Sequence, residues 1–303
     1  MPVAPHACIL GFDPSCISLY TPDGRPNMTG ADKQTEIWKQ LEAVRQTSPL
    51  VHNITNLVVM HTTANALLAL GASPVMAHAS EEVEEIVGLA SALVLNIGTL
   101  SPDWVESMRL ALSAARARTL PVVIDPVGAG ASRYRTQTAL ELIAASSNAI
   151  VRGNASEIAA LAGSAITTKG VDSSMEALAA KDAAMELARA HGCVVCVSGA
   201  TDLVTDGETC ATLTGGSPLM TRVTGMGCTA SAFCAAFAAV AGADSDRKAA
   251  RMRATVSAMA VMSAAGGLAA KEAAGPGSFL PAFLDRVSAL SAADLATVTI
   301  GDL

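Results

Sequence analysis

Two glycines and a thiol stand directly ahead of an alanine-rich run in Thr224-Gly225-Met226-Gly227-Cys228-Thr229. Glycines at a helix entrance permit positive φ and let a ligand approach the backbone closely. The amides of a first helical turn have no partner within the helix, and the macrodipole favours an anion beside them. Gly225, Met226, Gly227 and Cys228 are therefore a candidate anion hole that holds a phosphate without any lysine. A helix N-terminus also lowers a thiol pKa, which makes a Cys228 thiolate more available. The bland reading of the same residues is a tight turn before a core helix, with Cys228 as a small buried hydrophobe. The spacing Gly225-x-Gly227-x-x-Ala230 also matches a dinucleotide fingerprint. That fingerprint opens a βαβ unit, whereas helices alone follow here, so the oxidoreductase reading loses its context. No Gly-Lys-Ser/Thr occurs, so a Walker A loop is absent.

Two acids stand where strands are expected to end. Asp125-Pro126-Val127-Gly128-Ala129-Gly130 follows an apolar run, and ligands of open α/β sheets bind beyond the carboxyl ends of strands. Asp125 there holds magnesium or orients a phosphate, or else begins an Asp-Pro turn. Arg152-Gly153-Asn154-Ala155-Ser156-Glu157 closes the next strand. Asn154 and Glu157 have the spacing of a capping box, which would hold Glu157 at the same sheet edge as Asp125. Asp125 and Glu157 thus form a candidate acidic pair for a metal-bound phosphate. Arg152 adds a planar cation suited to phosphate oxygens. Cys193-x-x-Cys196 has redox spacing, but residues three apart on a strand face opposite ways, so no pairing is expected. The five histidines show no zinc-ligand spacing.

These residues must be placed by an alternating scaffold. Helical periodicity runs over Asp32–Thr47, Asn56–Leu70 (closed by Gly71), Glu81–Leu89 (capped by Ser80), from Ser101-Pro102, Thr136–Ala145, Ala155–Ala162 and Met175–Ala190. Between them, Ser73–Ala77, Ala92–Ile97, Pro121–Asp125, Ala149–Arg152 and Cys193–Ser198 read as strands, with a loop near Lys169-Gly170-Val171. Short strands alternating with helices imply a mostly parallel central sheet flanked by helices on both faces. A late hairpin turns at Asp206-Gly207, between Leu203–Thr205 and Thr209–Leu213. A helical C-terminal part follows: Cys228–Ala241, Arg247–Ala265 and a segment from Leu280. Residues 1–30 read as an irregular leader with no basic n-region, and 31–303 as a single domain.

Composition narrows the function. Of 303 residues, 51% are apolar but only 3% aromatic, and mean hydropathy is +0.41. Three stretches carry no charge: Arg45 to Glu81, Arg222 to Asp244 and Arg253 to Lys271. The first is broken by polar residues and Pro74, and the others are mostly Ala, Ser, Thr and Gly, so buried helices are expected rather than membrane spans. The net charge of -7 and the lack of a Lys/Arg cluster exclude a general nucleic-acid binder. Seven cysteines without regular spacing point to a reducing, cytoplasmic setting.

The same motifs occur together in one family. Pro49-Leu50-Val51-His52-Asn53-Ile54-Thr55-Asn56, the run Thr63 to Met76, and Leu95-Asn96-Ile97-Gly98-Thr99-Leu100 are joined by Asp125-Pro126-Val127-Gly128 and Arg152-Gly153-Asn154-Ala155-Ser156-Glu157-Ile158. Thr205-Asp206-Gly207, Gly215 to Thr221 and Gly275-Pro276-Gly277-Ser278-Phe279 complete the set. From about Ser48 to Val287 the chain resembles the hydroxyethylthiazole kinases. The resemblance implies a ribokinase-like α/β fold and a homotrimer with active sites between subunits. It implies transfer of the γ-phosphoryl group of ATP, with Mg2+, to the primary alcohol of 4-methyl-5-(2-hydroxyethyl)thiazole for thiamine salvage. It further implies that Asn53, Met76 and Gly225 bind the thiazole, and that Arg152 and Ser198 contact ATP. Asp125 and Glu157 would lie near the magnesium and phosphates. Cys228 would stand where related sugar and pyrimidine kinases have a catalytic Asp. The chain has Met226 and Ser198 where the family usually has Thr, and Asn53 where Cys is common. A related kinase of a pyrimidine or pyridoxal alcohol is the alternative.

Overall fold

The computed structural model describes residues 30–146, 149–163, 180–241 and 247–302. Residues 1–29 of the expected leader, the Lys169-Gly170-Val171 loop and the first part of the helix expected over 175–190 lie outside the described residues, while Gly30 already belongs to the first helix. Strands β1 (Leu50–Ile54), β2 (Ser73–Val75), β3 (Ala92–Asn96), β4 (Val122–Asp125), β5 (Ile150–Asn154), β6 (Val194–Ser198), β7 (Thr201–Thr205), β8 (Cys210–Thr214) and β9 (Thr299–Asp302) form one sheet. Its spatial order is β2-β1-β3-β4-β5-β6-β7-β8-β9. Pairings from β2 through β6 are parallel, and those from β6 through β9 antiparallel.

The helices are α1 (Gly30–Thr47), α2 (Met60–Leu70), α3 (Val83–Leu89), α4 (Pro102–Ala117), α5 (Arg133–Ala145), α6 (Ala155–Leu161), α7 (Lys181–His191), α8 (Met226–Val240), α9 (Arg247–Glu272) and α10 (Pro276–Ala289). Strand alternation sorts them into two layers. Val94, Val123 and Ile150 point into a core shared with α1, α2, α8, α9 and α10, through residues such as Leu41, Leu67, Phe233, Ala258 and Phe283. Leu93, Leu95, Ile124 and Val151 point into a second core with α3 to α7, through Val87, Met108, Leu142, Ile158 and Leu187. The chain is thus an α/β protein with helices on both faces and a helical C-terminal part.

The apolar excess resides in the first of these layers. Helix α9 is long and apolar enough to cross a bilayer, yet 72% of its most apolar stretch is buried inside the protein. Its small residues let neighbours approach: Gly266 leaves room for Met220, which a β-carbon there would overlap. That contact seats the 3₁₀ turn Pro218–Arg222, and this turn leads directly into Gly225.

Local signals hold at most boundaries. Gly71 closes α2 at φ 102°, Ser101 caps α4 ahead of Pro102, and Asn154 with Glu157 forms a capping box on α6. Cys193 and Cys196 are free, buried and in opposite cores. Other boundaries differ from expectation. The helix expected from Asn56 begins at Met60, because Leu50–Ile54 is an inner strand and residues 55–59 carry the chain across the sheet edge. Ser80 is not a cap: α3 starts after Glu82, and the Ser80 hydroxyl bonds the Glu81 carboxylate. Helix α5 starts earlier, at Arg133, where the Ser132 hydroxyl accepts from the Arg135 amide. Helix α10 starts at Pro276 rather than Leu280. Strand β9, unexpected from the sequence, covers the edge of the hairpin by pairing with β8.

Candidate active site

Strands β1, β3, β4, β5 and β6 all end at one edge of the sheet, and register aligns the last residues of β3 with β4 and of β5 with β6. Asn96 pairs with Asp125, and Asn154 pairs with Ser198. Helix α8 crosses this edge with its N-terminus above Asp125: the Ser231 hydroxyl donates to Asp125 Oδ2 at 2.9 Å. Asn96 Nδ2 donates to the same oxygen at 2.7 Å. Asp125 is 1% exposed. Burial pushes its carboxyl up to about 6, with Glu157 adding to the rise while Arg152, Ser231 and Asn96 oppose it.

From Asn96 the bonds continue to the thiol. Asn96 Oδ1 accepts from Asn56 Nδ2 at 2.9 Å and from the Gly98 amide at 2.9 Å. Asn56 Nδ2 also reaches Cys228 Sγ at 3.4 Å, while Asn56 Oδ1 accepts from the Val58 amide. Cys228 is therefore brought to Asp125 through two amides. The helix start does not make it a ready thiolate. Burial pushes the Cys228 thiol up to about 11, the Asp125 charge adds to this, and the amide donors offset only part. This corrects the expectation of a lowered pKa: desolvation at this depth outweighs the first-turn amides.

The segment expected to form an anion hole is a glycine-led helix start. Gly225 is at φ 88° with no side-chain cap on α8. The first helical bond runs from the Thr229 amide to Gly225 O, so the amides of Met226, Gly227 and Cys228 are the orphans of a helix start. Beneath them lies Arg152. A β-carbon on Gly227 would stand 2.7 Å from Arg152 Nη1. Arg152 Nη2 donates to Ser198 Oγ at 2.6 Å, and its Nε is buried with no partner. Burial pulls the guanidinium pKa down, but Asp125, Cys196, Asp202 and Cys234 outweigh it and hold it above the usual value. Asp202, on β7, is itself pushed up to about 6 by burial, against the Gly199 amide and Arg152.

Glu157 does its local work first. Its Oε2 accepts from the Asn154 amide at 2.8 Å, and its Oε1 accepts from the Gly128 amide at 2.8 Å. The carboxylate so ties the loop after β4 to the start of α6, within electrostatic reach of Asp125. Among the described residues no group of three or more His, Cys, Asp or Glu side chains converges on a metal position. A cation there would have to draw most of its oxygen ligands from phosphates and water.

Of the three residues expected to hold the thiazole, Gly225 stands at the start of α8, and Asn53 and Met76 lie toward the other end of this edge. Asn53 is buried within β1; its Nδ2 donates back to Val51 O at 2.9 Å, and its Oδ1 has no partner. Met76, half-buried, follows β2. Sequence reasoning missed Asn56, Asn96, Asp202 and Ser231 as site residues. The available signal was position: an Asn at a strand end sits where Asp125 sits.

An open, mostly parallel sheet with acids, an arginine and a glycine-led helix start at its carboxyl edge is the arrangement of a small-molecule kinase of the ribokinase-like class. The fold of pyridoxal kinase from Staphylococcus aureus in complex with AMP-PCP agrees, at TM-score 0.60 and 17% identity over 84% of this chain and 99% of that one. The Hydroxyethylthiazole kinase family profile matches residues 41–293. Hydroxyethylthiazole kinase of Nitratidesulfovibrio vulgaris (strain DP4) is 60% identical over 262 residues, 86% of this chain and 94% of the relative. That of Syntrophus aciditrophicus (strain SB) is 52% identical over 86% and 94%. A solved hydroxyethylthiazole kinase structure from Pyrococcus horikoshii OT3 superposes at TM-score 0.80, with 41% identity, covering 89% and 99%. The chain belongs to the hydroxyethylthiazole kinase family. It is a kinase that phosphorylates the thiazole alcohol, with ATP as co-substrate.

Proposed function

We propose that this chain moves the γ-phosphoryl group of ATP in line onto the primary alcohol of 4-methyl-5-(2-hydroxyethyl)thiazole, in thiamine salvage. The observation that carries the mechanism is the stack of Gly227 directly on the Arg152 guanidinium. It puts unpaired amides and a fixed cation on the same small volume. Charge developing on the transferring phosphoryl oxygens is stabilised there without reorganisation. Ser198 fixes the orientation of Arg152. Cys228 is protonated at neutral pH, so it orients the alcohol rather than acting as a resting base, and the alcohol proton leaves late to an oxygen of the transferred phosphoryl group.

A divalent cation suits the acids. Glu157 adds to the rise in the buried Asp125 carboxyl, and a cation near the pair would relieve that repulsion. Asp125, with Glu157 beside it, would hold Mg2+, which when bound neutralises phosphate charge. Asn53, Met76 and Gly225 would line the thiazole pocket. We also assign a homotrimeric, cytoplasmic state with sites between subunits. Its support is the exposure of Leu57 and Val58, 63% and 66%, immediately after Asn56, and the five free cysteines among the described residues.

The test is ADP release with the thiazole, hydroxymethylpyrimidine and pyridoxal alcohols in parallel, on a sample sized by light scattering. Thiazole should exceed the others by at least about tenfold, on the order of 1.4 kcal/mol of discrimination. Equal or greater turnover of another alcohol would overturn the substrate, and a monomer would overturn the trimer.

A further inference from the structure

The bonds between Asp125 and Cys228 have a fixed polarity, and that polarity comes from the backbone. An amide side chain has two orientations, and its neighbours choose between them. Asn96 presents its oxygen to the Gly98 amide at 2.9 Å, and a backbone N–H only donates. Asn96 Nδ2 must then face Asp125, and Asn96 Oδ1 must receive Asn56. Asn56 is set in the same way, because its Oδ1 faces the Val58 amide at 3.2 Å. Its Nδ2 is left to serve Asn96 and Cys228 Sγ together. Neither amide can flip without setting its NH2 against a backbone N–H donor.

Gly98 shows how closely the first amide is held. A β-carbon there would lie 2.7 Å from Asn56 Nδ2 and 2.8 Å from its Cβ and Cγ. Those atoms include the root of the side chain, which cannot swing aside. The glycine is therefore required by Asn56, not by the backbone conformation, since Gly98 is not among the positive-φ glycines.

We propose that Asn96 and Asn56 are positioning residues for phosphoryl transfer, a polarity-fixed link that makes the Cys228 sulfur a hydrogen-bond acceptor on its Asn56 side. The thiol proton is thereby directed away from Asn56, toward the open side of the α8 start where the alcohol is to be bound. The charged groups acting on Cys228 are Asp125, which disfavours the thiolate, and Arg152, which favours it; Asn96 and Asn56 are the neutral donors on its side. This inference rests on the kinase reading for its catalytic consequence, but its geometry does not.

Two variants test it with two measurements. Asn56→Asp keeps the shape and replaces the donating NH2 with oxygen; Gly98→Ala displaces Asn56 without changing any polar group. The thiazole kinase kcat should fall about 10- to 100-fold in both, with the KM for ATP changed less than about threefold. The rate of Cys228 alkylation by iodoacetamide, followed by peptide mass against pH, should shift to higher pH in both. That second profile needs no substrate, so it stands even if the thiazole reading fails. A wild-type alkylation profile in both variants overturns the link, whatever happens to turnover. Equal losses of kcat and of melting temperature, with the profile unmoved, would show a merely structural role and also overturn it.

Discussion

The two halves of the site edge handle buried charge in opposite ways. On the β1, β3, β4 side, Asp125 is embedded in side-chain donors: Asn96 and Ser231 on one oxygen, with Asn56 and Cys228 beyond. On the β5, β6, β7 side, Arg152 has one side-chain partner, Ser198, and an Nε with none. Asp125 and Asp202 are both pushed up to about 6 by the same cause, burial, and both are eased by Arg152. Their hydrogen bonding differs, since Asp202 receives only the Gly199 amide where Asp125 receives two side chains. On the amide side the donors of Asn96, Asn56 and Ser231 are all engaged with Asp125, Cys228 or one another. On the arginine side a buried cation retains an unpartnered N–H, the capacity that the proposed mechanism gives to phosphate oxygens.

The sharpest way to break that contrast is Arg152→Met. Steady-state kinetics should show kcat/KM for ATP reduced about 10²- to 10³-fold, the scale of losing one transition-state donor. A loss confined to the thiazole KM would reverse the roles assigned to the halves. Gly227→Ala presses on the same cation from above, because its new β-carbon meets Arg152 Nη1. About a tenfold loss in kcat/KM for ATP is expected, with the alkylation profile of Cys228 little changed. An unaffected enzyme would mean that the guanidinium yields freely and is not fixed beneath the loop.

The smallest effect concerns stability. Asp125 binds its proton more tightly when folded, its pKa rising from 3.8 to about 6. The folded state therefore holds more protons through that window, and stability falls as pH rises through about 6. Asp125→Asn removes the ionised form while keeping an oxygen for Asn96 and Ser231. Its melting temperature should exceed wild type by a few degrees at pH 8, with the gap narrowing as pH falls through about 6 and closing only below about 4. A variant less stable by the same margin at both pH values would show that the carboxylate is stabilised, not strained, by its site.

How far the sequence reaches is clear from particular residues. The alternation of short strands with helices, the Asn154–Glu157 box, the Gly71 stop and the Gly225 entrance are local patterns, written within a few positions of chain. They alone determined the α/β architecture, the glycine-led start of α8, and the placement of Asp125, Arg152 and Glu157 at one edge. Strand β1 was hidden because Asn53 and His52 interrupt its apolar run, and β9 because a four-residue edge strand carries little periodic signal. The state of Cys228 was decided by tertiary structure. Its partner Asn56 lies 172 positions away, and Ser231 meets Asp125 across 106. Periodicity reports which face a residue takes, but burial and hydrogen-bond direction depend on what the fold sets opposite that face. Folding therefore turned the expected thiolate into a protonated thiol and two unremarked asparagines into its link to Asp125.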